Sequence, residues 1–130
     1  MQRCPACNAR LSAGSLCPRC GADLSRIQRC ERLAEQWLSV SLQTLQAGKA
    51  DVAVAAIERS LSFKQTQAAK LVKGFLIQHQ YQALYESLGQ QHWQEAGHIL
   101  ARLRRLQGDN EVLRRFTELI AYLSAGLNSV

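Results

Sequence analysis

The chain has 130 residues, 47% hydrophobic and 20% charged, with 16 Lys and Arg against 10 Asp and Glu for a formal charge of +6. That length admits one ordinary domain with a small appendage. No stretch approaches the roughly 18 uninterrupted apolar residues of a membrane-spanning helix, which excludes a membrane role of that kind.

The appendage comes first. Cys4-Pro5-Ala6-Cys7 and Cys17-Pro18-Arg19-Cys20 are two copies of one knuckle, and both prolines of the chain sit at matching positions inside them. Proline fixes φ and stiffens such a turn. Asn8 follows the first knuckle and Gly21 the second, and these are residue types that tolerate positive φ where a tight turn requires it. Two Cys-x-x-Cys turns together supply four thiolates, the number that closes a tetrahedral Zn²⁺ site. The predicted metal ligands are therefore Cys4, Cys7, Cys17 and Cys20, around one structural zinc. The segment 1–24 holds only Leu11, Leu16 and Leu24 besides alanines as core material, so the metal must supply most of its folding free energy. Disulfides are the competing use of paired cysteines, but no charged segment followed by an apolar one precedes Cys4. The expected compartment is a reducing cytoplasm.

From Ser25 onward prolines vanish and apolar residues recur at helical spacing, which predicts a helical domain over 25–130. A first helix is expected from Asp23 or Ser25 to about Ala47, with Ile27, Cys30, Ala34, Trp37, Leu38, Ser41 and Leu45 inward and Gly48 as its stop. A second, about 49–62, places Val52, Ala53, Ala56, Ile57 and Leu61 inward. A third, about 64–88, carries Ala68, Leu71, Gly74, Ile77, Tyr81, Leu84 and Leu88 on one face, widened by Val72, Phe75 and Tyr85, and ends at Gly89. A fourth, about 91–106, buries Trp93, Ala96, Ile99, Leu100 and Leu103. Gly108-Asp109-Asn110 separates it from a fifth, about 111–124, with Val112, Leu113, Phe116, Leu119, Ile120 and Leu123 on one face and Gly126 closing it.

Residues 1–24 resemble the short zinc ribbons written Cys-Pro-x-Cys, a brief polar hairpin, then Cys-Pro-x-Cys-Gly. That resemblance implies a small metal-stapled fold and no particular partner. With all four ligands thiolate, no coordination position stays open, so the site is expected to be structural rather than catalytic. Iron in a rubredoxin-like carrier is the competing metal, but such proteins usually have a longer insertion and aromatic packing, and this ribbon has no aromatic residue. The second and fourth helices align with Gly48 over Gly89 and then, with two extra residues, Ala53 over Ala96, Ile57 over Leu100 and Ser60 over Leu103. In that register residues 33–124 resemble a degenerate tetratricopeptide pattern, clearest at Trp93-Gln94-Glu95-Ala96. The expected fold is thus mainly α: a Cys4 zinc ribbon followed by about five antiparallel helices in a tetratricopeptide-like stack, with an irregular helical bundle as the alternative.

Neither a phosphate-binding glycine loop nor a nucleophile elbow occurs, and His79, His92 and His98 form no metal-type pairing. An enzyme is not expected. Cys30 reads as a small buried apolar residue. The expected function is that of a zinc-binding adaptor engaging a protein partner through a helical repeat surface, with Gln36, Gln43, Gln78, Gln82 and Tyr81 as candidates for its concave face. The alternative is nucleic-acid binding, in which Arg3, Arg10 and Arg19 contact phosphates. Arg3, Arg10, Arg19, Arg26, Arg29 and Arg32 crowd the first 32 residues, and Arg102, Arg104, Arg105, Arg114 and Arg115 form a second group expected to be a solvated helix face. Bound zinc would lower the charge to about +4, since four thiolates bring −4 and the ion +2.

Overall fold

A computed structural model describes residues 2–12 and 14–128, the last two of these by backbone alone. It is mainly helical: α1 (Ser25–Gln46), α2 (Ala50–Phe63), α3 (Gln67–Gly89), α4 (Trp93–Gln107) and α5 (Glu111–Asn128) follow an N-terminal segment built on two isolated antiparallel bridges. α1 pairs with α2 and α3 with α4 as hairpins, α2 joins the two, and α5 lies against α4.

Local chemistry sets the boundaries. The Asp23 carboxylate accepts the Ser25 N–H at 3.0 Å as α1 begins, and that bond holds the carboxyl below the ordinary range. Thr66, not Lys64, starts α3, because its hydroxyl accepts the Ala69 N–H at 3.1 Å while Lys64 is extended. Asn110 caps α5 by accepting the Leu113 N–H at 2.9 Å. Gly126 does not close α5, which continues through Asn128.

The two hairpin turns are built alike. Lys49 N–H bonds Thr44 O at 2.9 Å in the first, and His92 N–H bonds Ser87 O at 2.9 Å in the second. Gly48 at φ 77° and Gln91 at φ 61° hold the same left-handed position. This superposes Gly48 on Gln91 at a constant offset of 43 residues, with Ala53 on Ala96, Ile57 on Leu100 and Ser60 on Leu103. The expected register, with Gly48 over Gly89 and two extra residues, is therefore corrected. Gly89 is the last residue of α3, and a glutamine takes the conformation that glycine favours.

The hairpins close by different means. In the first, small residues bring the backbones together and two buried serines clasp them: Ser41 Oγ donates to Ala53 O at 2.8 Å and Ser60 Oγ to Ala34 O at 2.6 Å. In the second, Leu84 and Leu103 stand at the equivalent places, both fully buried.

Two clusters make up the core. Ala53, Val54, Ile57, Ala69, Leu76 and Leu106 form one; Leu84, Ala96, Ile99, Leu100, Leu103 and Leu113 form the other. The inner residues expected of α4 are buried, apart from a half-buried Trp93. On α3 the expected face is wrong in its first half: Ala68, Leu71, Gly74 and Phe75 are exposed, and Ala69, Leu76 and Gln80 are buried. Val52, Tyr85, Val112 and Leu119 are likewise exposed, and Ile27 is marginally so.

Gln80, fully buried, explains part of that difference. The Arg102 guanidinium donates to Gln80 Oε1 at 3.1 Å and to Asp51 Oδ1 at 2.6 Å, and lies 3.9 Å from Glu95. One α4 side chain thus ties α3 to α2 and makes a polar residue acceptable in the buried stripe.

Candidate metal centre

The N-terminal segment is a duplication. Residues 2–11 (Gln-Arg-Cys-Pro-Ala-Cys-Asn-Ala-Arg-Leu) and 15–24 (Ser-Leu-Cys-Pro-Arg-Cys-Gly-Ala-Asp-Leu) correspond at an offset of 13, and three backbone hydrogen bonds of the first half have their counterparts in the second. Asn8 N–H to Cys4 O (2.8 Å) matches Gly21 N–H to Cys17 O (2.9 Å). Cys4 N–H to Ala9 O matches Cys17 N–H to Ala22 O, both at 2.9 Å, and Leu11 N–H to Gln2 O matches Leu24 N–H to Ser15 O. Each half is a minimal hairpin whose turn presents two sulfurs, and Asn8 (φ 61°) and Gly21 (φ 73°) both occupy the left-handed position. Beyond the shared knuckles, the shared Ala9/Ala22 and Leu11/Leu24 carry the signal of the whole repeat in the sequence.

The four predicted ligands are brought together. The Sγ atoms of Cys4, Cys7, Cys17 and Cys20 all lie within 4.8 Å of one another. Cys4 to Cys20 and Cys7 to Cys17 are each 3.6 Å, so both short contacts run between the halves. A tetrahedron with metal–sulfur bonds of about 2.3 Å has edges of about 3.8 Å, close to these separations. Cys4 and Cys17 are buried with Leu24, and Leu11, Ala9 and Ala22 pack around them. The set can hold a metal ion. An ion held by all four sulfurs in tetrahedral geometry has no position left for water or substrate.

The four thiols are not equivalent. The Cys20 N–H, helped by that of Arg19, draws the Cys17 thiol down to about 6 against the effect of burial. At Cys20 the Ala22 N–H favours the thiolate, yet the crowding sulfurs of Cys7, Cys17 and Cys4 together with burial push the thiol up to about 12. The two shifts run in opposite directions because sulfurs this close share protons, and a thiolate at one disfavours a thiolate at its neighbour.

Cys30 stands outside this group, half-buried on α1. Among the described residues no other group of three or more histidine, cysteine or carboxylate side chains is gathered closely enough to hold an ion. Gln36, Gln43, Gln78 and Gln82 are exposed; Tyr81 is half-buried and its hydroxyl accepts from Gln107 Nε2 at 2.8 Å. A concavity of about 410 Å³ does lie among α2, α3 and α4, but it is lined by Asp51, His79, Gln80, Ala83, Glu95 and Arg102 rather than by those candidates.

The two arginine groups differ in kind. Arg102, Arg104, Arg105, Arg114 and Arg115 each lie within 4.0 Å of a carboxylate, at Asp51, Asp109, Glu58, Asp109 and Glu111 respectively. None of Arg3, Arg10, Arg19, Arg26, Arg29 and Arg32 has such a partner among the described residues. Arg3 and Arg10 are directly opposed across one bridge, and Arg19 sits in the other knuckle. No helix among the described residues is long and apolar enough to cross a membrane. Comparison with family models, with curated proteins and with solved structures gave no match.

Proposed function

We propose that the chain is a zinc-binding adaptor: a Cys4 zinc ribbon on a tetratricopeptide-like stack that docks a protein partner, with no catalytic activity of its own. Zinc suits four thiolates in a closed site, where its role is to fold the ribbon. Two helical hairpins at a constant offset of 43 residues support the repeat reading, as does α5, which begins 44 residues after α3 as the first helix of a third unit would.

The observation that carries the adaptor role is the exposed apolar band along α3 and α5. Leu71, Phe75 and Tyr85 on α3 and Val112, Leu119 and Tyr122 on α5 are all more than two-fifths exposed. Ala68 and Phe75 correspond to Val112 and Leu119 in the repeat, so the residues fall on one side of the stack, and Tyr85 meets Phe116 with ring centroids 6.0 Å apart. Aromatic and aliphatic side chains gathered in this way mark a protein-docking surface. Native co-purification of the full chain with its partner, repeated for a Phe75→Asp/Leu119→Asp/Tyr122→Asp variant, tests the reading. A stoichiometric partner held by the parent chain and lost from the folded variant is expected. The same recovery from both would overturn it.

A further inference from the structure

The duplicated ribbon allows each position to be compared with its counterpart, and one pair stands out. Arg3 and Arg10 occupy the place that Leu16 and Asp23 hold in the second half. In each half the flanking pairs carry the hydrogen bonds, at 2–11 and 4–9 in the first. Arg3 and Arg10 are therefore a non-hydrogen-bonded pair, the arrangement that brings opposed side chains closest. Like charges directly opposite one another are destabilising. Neither arginine has a carboxylate partner among the described residues, and both are exposed.

The fold does not require arginines there, since the second half makes the same bridge with a leucine and an aspartate. Nor are the guanidiniums simply adrift. Arg3 Nη1 donates to Asn8 O at 3.1 Å, and the two arginines with Gln2 and Leu11 line a concavity of about 350 Å³.

The geometry points to a phosphate-binding site at Arg3 and Arg10, used to grip the backbone of a nucleic acid. Guanidinium N–H groups in a fixed fork match phosphate oxygens, and two side by side supply the opposing charge that the pair lacks within the chain. An acidic peptide offers the same charge but normally docks by burying apolar anchors; the one apolar residue lining this concavity is Leu11, and the described ribbon has no aromatic residue. For the same reason the contact is with phosphates rather than bases. The site goes beyond the adaptor reading and uses a different surface.

The test uses the full-length zinc-loaded protein with three fluorescent probes: a 20-nucleotide single-stranded RNA, a 20-base-pair DNA duplex and a polyglutamate peptide, titrated at 50 and 200 mM salt. Nucleic-acid binding that weakens with salt is expected. Arg3→Gln/Arg10→Gln should weaken it by about tenfold or more at 50 mM and reduce the salt slope by about 1.4 for the single strand or 1.8 for the duplex, as loss of two phosphate contacts requires. Comparison of the RNA and DNA arms identifies the preferred source of phosphate. The converse variant, Leu16→Arg/Asp23→Arg, places the pair in both halves and should tighten binding. No binding at 50 mM, preference for polyglutamate, or an unchanged affinity and slope in the glutamine variant would each overturn the proposal. Loss of zinc from the glutamine variant would do so too, by assigning the arginines to the metal centre.

Discussion

Arg102 is the side chain whose removal the helical core should tolerate least. It serves a fully buried amide on α3 and a carboxylate on α2, so Arg102→Ala leaves Gln80 Oε1 without its donor. Loss of a buried hydrogen bond to a charged group costs about 1.5–3 kcal/mol, and urea unfolding followed by helical circular dichroism should show a loss of that size. Arg102→Ala combined with Gln80→Leu should recover part of it, since the desolvated amide is then gone. Asp51 gives the same contact a pH signature. The Arg102 hydrogen bond holds its carboxyl below the ordinary 3.8. A carboxyl depressed in the folded state stabilises above its unfolded value and loses that contribution as pH falls through the folded one. The stability advantage of the parent chain over Asp51→Asn should therefore be constant above pH 3.8 and shrink below it; because Asp51 is largely exposed, the effect should be small. In the ribbon, Gly21→Ala should weaken metal retention against a chelator by about 1 kcal/mol, through the left-handed φ alone, since an added Cβ meets nothing within 4 Å. Asn8→Gly at the matching position should be neutral or mildly favourable.

At the scale of elements, the ribbon and the helices draw on different sources of stability. Among the described residues only Leu24 and two cysteine side chains are buried in the ribbon, whereas the helices bury two apolar clusters of their own. Chelation should thus abolish ribbon structure and leave most of the helical signal, measured by circular dichroism beside backbone amide NMR; collapse of both together would contradict this division. The knuckles were legible in the sequence because their chemistry is local: proline, cysteine spacing and a left-handed residue stand within a few positions. The helices were legible from periodicity, and α4 most fully, because its polar residues keep to one side. The buried face of α3 was not. Apolar residues lie on both its sides, and the true stripe passes through Gln80, a residue that becomes buriable only when Arg102 arrives from another helix. The turn register failed for a similar reason, since Gln91 adopts the conformation that Gly48 marks openly in the first hairpin.

At the scale of the whole molecule, matched and unmatched arginines fall in different parts of the chain. Five arginines of the helical stack are matched to carboxylates, several across helices: Arg102 to Asp51 and Arg105 to Glu58 join α4 to α2. The arginines of the first 32 residues are unmatched among the described residues, and the exposed apolar side chains concentrate on α3 and α5. If a metal folds the ribbon, elemental analysis of the purified full-length chain beside its Cys17→Ser variant should show it most directly. One zinc per chain in a colourless protein, lost or much more easily chelated in the variant, is the predicted result. Iron with visible absorption bands, or no metal at all with the ribbon still folded, would contradict it.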